Sequence, residues 1–97
     1  MRAVEWSTKA EGHLDQWIDY LDRVAGPEVA FRGRTAARAK AASLARFAGH
    51  QRSLRWKGYQ EASLKPWHKL LIYRVIGDRV EVSALFDMRQ DLSRVRL

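Results

Sequence analysis

Two long segments with helical periodicity meet at Gly26-Pro27 with no room for a loop between them, and this junction constrains the fold more than any other feature of the chain. Glycine stops a helix, and proline opens the next one at no cost because its missing N–H would be unpaired there anyway. In the first segment Leu14, Trp17, Ile18 and Leu21 recur at i, i+3, i+4 and i+7, forming one apolar stripe. Glu11, Asp15, Asp19 and Asp22 share a neighbouring face. Ser7 or Thr8 can cap this helix, with Glu11 three residues after Thr8 completing a capping box. The second segment, residues 27–48, is rich in alanine, which favours helix and lets two helices approach closely. Val29, Ala36, Leu44 and Phe47 are expected to face the first helix, and Gly49 to end the second in a left-handed cap. A two-residue break between segments of this length predicts an antiparallel helical hairpin.

The rest of the chain reads as strands. Residues 2–6 alternate in character ahead of the hairpin, and residues 59–64 form a second short run. Residues 67–76 carry Leu70, Leu71, Ile72, Tyr73 and Val75 in one apolar run, the pattern of a central strand buried on both faces. Gly77-Asp78 is a turn, and residues 79–86 alternate, with Val80, Val82, Ala84 and Phe86 facing one way and Glu81 and Ser83 the other. The polar tail from Met88 to Leu97 is read as frayed or as a helical turn. Helices and strands are segregated, so the fold class is α+β: an N-terminal strand, a long helical hairpin, then a three- to four-stranded antiparallel sheet packed on it. At 97 residues this is one domain, 1–97.

The absence of cysteine excludes disulfides and thiolate zinc sites and suits a reducing cytoplasm. No apolar run reaches the length of a membrane span and no signal peptide is visible, so a cytoplasmic protein without membrane contact is expected. His13, His50 and His68 lack metal-ligand spacing, and neither a metal nor another cofactor is expected. The net charge is +7, and no acidic residue lies between Glu28 and Glu61. That stretch carries Arg32, Arg34, Arg38, Lys40, Arg46, Arg52, Arg55 and Lys57. Two readings fit: a solvated arginine-rich face, or a surface for a polyanion or an acidic protein. Arg34 and Arg38 share one side of the second helix and stand under the same two readings.

The order of elements, with several local motifs, resembles the RelE/ParE superfamily of bacterial toxins. Val4-Glu5-Trp6-Ser7 with Ala10 and Leu14 is similar to the family's opening strand and helix start. Tyr20-Leu21, then Gly26-Pro27-Glu28 and Ala30, resembles the helix junction of ParE-like members. The stretch from Arg55 to Glu61 resembles a family strand motif, and Leu71-Ile72-Tyr73-Arg74-Val75 its tyrosine-bearing central strand. Val80-Glu81-Val82, Phe86-Asp87 and Arg89-Gln90-Asp91 resemble the last strand and its closing polar motif. Each motif is short, and the resemblance rests on their order over nearly the whole chain.

Two mechanisms follow from the resemblance. RelE-like members cut messenger RNA on the ribosome with Lys, Arg and Tyr, or with Glu and His, because attack by a 2′-hydroxyl needs a base, a cation and an acid. The arginine expected three residues before the strand tyrosine falls on Leu70, the expected lysines fall near Glu61 and Ser63, and no tyrosine follows Tyr73. Arg89 alone fills its place. The catalytic candidates left are His68, Lys69 and Arg89, with Glu61 in a relocated site. ParE-like members instead bind and poison DNA gyrase, and the long hairpin points to that branch. The resemblance then implies a growth-arresting toxin with Arg89, Arg94 and Arg96 as target-binding candidates. It also implies a cognate antitoxin, acidic and partly disordered, with Trp56, Trp67 and Phe86 as contact candidates. Arg89 has a second reading, pairing with Asp87 or Asp91, and Trp56 and Trp67 could also stack on bases. A nuclease acting on ribosome-bound mRNA, or a non-toxic nucleic-acid-binding module, are the alternatives.

Overall fold

A computed structural model describes residues 2–47 and 52–97, with only the backbone of Phe47. The expected packing of Phe47, the Gly49 cap and His50 fall outside the described residues. The chain runs β1 (Ala3–Trp6), α1 (Thr8–Ala25), α2 (Pro27–Phe47), β2 (Gln60–Leu64), β3 (Lys69–Ile76) and β4 (Arg79–Asp87).

Of the two cap candidates, Ser7 is the residue used: its hydroxyl accepts from the Ala10 N–H at 3.0 Å. The Thr8–Glu11 capping box does not form, because the Glu11 carboxylate reaches across to Arg38 on α2 at 3.0 Å. Ala10, Leu14, Trp17 and Ile18 are buried as the periodicity requires. Gly26 has φ 94°, and its N–H closes α1 on the Asp22 carbonyl, so the reversal into α2 needs glycine there.

The inner face of α2 differs from the expected one. The buried stripe is Ala30, Gly33, Ala37, Ala41 and Leu44, while Val29 and Ala36 are half-buried at its flank. The smallest residues line the seam because α1 presents the bulky ones. A Cβ on Gly33 would lie 2.7 Å from Leu21 Cδ1 and 3.3 Å from Trp17 Cη2. Gly33→Val is therefore expected to lower stability by about 1–3 kcal/mol through overpacking. Urea denaturation measures it, and a stability equal to the parent would place the helices further apart than this. Arg34 and Arg38 clamp the same hairpin by pairing with Asp15 and Glu11, and Arg38 also lies over the Trp6 ring at 4.6 Å. Both arginines stay about 40% exposed, so they form a solvated face whose charge is paired across the hairpin.

The sheet has the order β1-β4-β3-β2. β2, β3 and β4 are antiparallel as expected, but β1 lies parallel to β4, so the sheet is mixed. The hairpin α1–α2 covers one face, over Ala62, Leu64, Leu71, Tyr73, Val80, Val82 and Leu85. β3 is buried on both faces as expected, with Leu70 and Ile72 on the far side.

The alternation expected along β4 holds only as far as Val82. Tyr73 pairs with Val82 but Ile72 pairs with Ala84, so Ser83 is an extra residue, a β-bulge. Beyond it the faces exchange: Leu85 points to the helices, while Ala84 and Phe86 point away. The bulge sits where β1 ends, and the Ser83 carbonyl accepts from the Ser7 hydroxyl at 3.3 Å.

The tail is docked and not frayed, and it contains no regular helix. Leu92 is buried, and Val95 packs with it against Leu70, Ile72, Ala84 and Phe86. The Trp56 indole N–H donates to the Val95 carbonyl at 2.9 Å, which pins the tail to the segment before β2.

Candidate functional site

Two concave regions collect the chemistry-bearing residues. The first is a cleft of about 530 Å³ where α1 meets the start of β3 and the end of β4. α1 contributes His13, Gln16, Trp17 and Tyr20, the turn before β3 gives Trp67, β3 gives Lys69, and β4 with its continuation gives Asp87, Arg89 and Gln90. Lys69 and Asp87 face each other because the bulge sets them in register. Their charged atoms are 3.9 Å apart. Arg89 holds Asp87 more closely, with guanidinium contacts of 3.1 and 3.0 Å and its own N–H at 2.8 Å. These bonds, Arg89 foremost, pull the Asp87 carboxyl down to about 2. Burial pushes the Lys69 ammonium below the usual lysine range although Asp87 opposes the shift. The Lys69 ammonium also lies 5.2 Å from the Trp17 ring.

His13 belongs to this cleft, and its role escaped the sequence. β1 ends at Trp6, so the β4 edge beyond the bulge has no neighbouring strand. His13 substitutes for one: the Leu85 N–H donates to its Nδ1 at 3.2 Å. This bond requires a neutral ring with its proton on Nε2. Burial first, then Lys9 and Lys69, holds the His13 pKa below the usual histidine range.

The sign of the pH dependence follows. His13 and Asp87 both have folded values below their unfolded ones, so each contributes stability at higher pH that is lost on acidification. The His13 contribution is present above its ordinary 6.5 and declines as pH falls below it. The Asp87 contribution declines between 3.8 and about 2. Urea midpoints should therefore fall from pH 8 to pH 5, and His13→Gln, whose amide oxygen can still accept from Leu85, should flatten that fall. An identical pH slope in both proteins would exclude His13 as its source.

The three catalytic candidates are not brought together as a set. Lys69 and Arg89 meet at Asp87. His68 is exposed in the turn at φ 58°, and its carbonyl accepts from the Met88 N–H. Glu61 pairs across the sheet with Ile72, on the face opposite Lys69, where Ser53 and Arg55 hold it. A relocated site of His68, Lys69 and Glu61 therefore does not assemble. Arg89 takes its second reading, the pair with Asp87. Among the described residues no three His, Cys, Asp or Glu side chains gather in a metal-ligating group.

The second region is a groove of about 820 Å³ between the segment before β2 and the tail. Arg94 and Arg96, both exposed, line it with Arg55, Lys57, Trp56 and Tyr59. The antitoxin-contact candidates divide between the two regions. Trp56 stacks on Phe86 with centroids 5.5 Å apart under the groove, and Trp67 meets Trp17 edge-on at 5.6 Å in the cleft. Phe86 is 9% exposed and touches His13 from the other side, so it supports both regions from beneath. Among the described residues no helix is long and apolar enough to cross a membrane.

Known proteins give the arrangement a family. No curated protein matches the chain. Among solved structures, a chain of the chromosomal ParDE TA system from P. aeruginosa superposes with a TM-score of 0.83 at 24% identity, covering 90% of this chain and 96% of that one. A conserved hypothetical protein from Helicobacter pylori superposes at 0.59 with 21% identity, covering 93% and 98%. At these identities the two structures establish the fold, and the family comes from the sequence model. The model for the ParE toxin of the type II toxin–antitoxin system, parDE, matches residues 4–92. With both helices, β2 to β4, all of β1 but its first residue and the start of the docked tail inside that match, the chain belongs to the ParE toxin family of type II toxin–antitoxin systems.

Proposed function

We propose that this toxin acts in the cytoplasm by binding DNA gyrase and trapping it on cleaved DNA, and that a cognate acidic antitoxin silences it. The observation that carries the reading is the ParE family match over residues 4–92. The chemistry agrees with it. Leu70, where an RNA-cutting relative would need an arginine, is buried against Phe86 and Leu92, and the tail after Tyr73 has no tyrosine. Binding in place of catalysis needs a presented surface, and the basic groove with Arg94 and Arg96 is the proposed one. A high positive charge also suits an acidic antitoxin segment that folds as it binds.

One observation favours a second reading. The cleft collects Lys69, Arg89, Tyr20 and His13, residue types that metal-free RNA cleavage uses. Inducing the toxin in bacteria without its antitoxin separates the two. Arrested replication with a DNA-damage response is the expected result, and codon-positioned mRNA cuts with rapid loss of translation would replace gyrase by the ribosome. Normal growth would overturn both and leave a non-toxic nucleic-acid-binding module. Co-purification with the product of the adjacent reading frame tests the antitoxin.

A further inference from the structure

Two cations share one carboxylate in the cleft between α1 and the ends of β3 and β4. Asp87 is committed to Arg89, which takes both of its oxygens and adds a backbone N–H. Lys69 is left at 3.9 Å, beyond hydrogen-bond reach. Among the described residues no acceptor lies within bonding distance of its ammonium, although its side chain is only 14% exposed. The ammonium is recessed, and Asp87 at 3.9 Å with the Trp17 ring offsets only part of its desolvation. The depressed Lys69 pKa has the same cause.

The walls offer donors as well. His13 spends its acceptor nitrogen on Leu85, so the neutral ring has only an N–H left to offer. Arg89, Gln16 and Gln90 line the same cleft. The floor is apolar: Trp17 and Trp67 meet at an interplanar angle of 81°. That angle prevents a nucleobase from stacking flat on both rings, and the charge to be met is recessed. A carboxylate at the end of a flexible side chain can reach it, with an apolar neighbour on the indoles.

We propose that this cleft binds a glutamate or aspartate side chain of an acidic, partly apolar peptide segment, with the Lys69 ammonium as its anchor and Trp17 and Trp67 holding the adjacent apolar residue. The chemistry stands on the cleft alone. That the segment belongs to an antitoxin rests on the reading given above, which co-purification tests separately.

The experiment is an NMR titration of the ¹⁵N-labelled full chain with the blocked peptide Ac-Glu-Leu-Glu-Leu-NH₂. Its glutamine counterpart and inorganic phosphate, at matched ionic strength, are the comparisons. Saturable shifts of the Trp17 and Trp67 indole N–H signals and of the Leu85 amide are expected with the acidic peptide. Binding should be at least about tenfold weaker for the glutamine peptide, the factor of a lost charge-assisted pair. Lys69→Met keeps the stem volume and removes the charge, and it should weaken the acidic peptide by a similar factor without lowering the melting temperature. Arg89→Gln frees Asp87 to occupy Lys69 from within and should weaken the peptide as well. The proposal is overturned if the glutamine peptide binds equally, if both variants bind as the parent does, if phosphate alone reproduces the shifts, or if no saturable shift occurs. An antitoxin complex that survives such a result would remove the cleft assignment and leave the antitoxin reading standing.

Discussion

Leu71→Ala is expected to lower stability by about 2–5 kcal/mol, a large part of the roughly 5–15 kcal/mol that holds a domain of this size together. Leu71 has no exposed surface, pairs with Ala62 and Leu85, and faces the helical hairpin. Truncation there leaves a cavity that β2 and β4 cannot close, since both are tied to β3 by the ladder. Ile72→Ala should cost about as much, but for another reason. Ile72 is also fully buried, on the opposite face, under the docked tail. The two costs separate in a Leu92→Ala background. There the Ile72 cost should shrink by about 0.5–3 kcal/mol, the range of coupling between residues in contact, while the Leu71 cost stays unchanged. Urea denaturation reads both. Equal costs for Ile72→Ala with and without Leu92 would mean that the tail does not cover the sheet in solution.

Reversing Arg94 and Arg96 together to glutamate should abolish growth arrest, or raise the expression needed for it by at least about tenfold. Both side chains are exposed at the rim of the groove, so the double reversal should change stability by no more than about 0.5 kcal/mol per site. Charges at a rim act mainly on the rate of encounter, and repulsion reaches further at low salt, so the loss should deepen as ionic strength falls. The assay is toxin induction without antitoxin, with circular dichroism to confirm folding. Full arrest by the double variant would move the target contact away from the groove.

Local pattern and long-range contact determined different parts of this protein. The hairpin was legible because its signals are local: an apolar stripe at helical spacing, then Gly26-Pro27 as stop and start. The β3–β4 hairpin was legible from the Gly77-Asp78 turn for the same reason. The family resemblance was legible as an order of short motifs. The docking of the tail was not, because two apolar residues, Leu92 and Val95, gain a partner only when Trp56 and the far sheet face come together. The pairing of Arg34 and Arg38 was not, because it depends on which faces of two helices meet. The cleft was the least legible part. A regular hairpin about Gly77-Asp78 would set Lys69 opposite Phe86; the extra residue Ser83 shifts the register and sets it opposite Asp87. The one trace of the bulge in the sequence is apolar Leu85 on what regular alternation makes the polar face; the bulge forms where β1 ends and Ser7 and His13 take over the strand edge. Sequence by itself determined the elements, their order and the family. The tertiary structure alone decided that β1 joins β4 in parallel and that Lys69, Asp87, Arg89 and His13 share one cleft, because strand register and edge pairing are settled between segments some eighty residues apart.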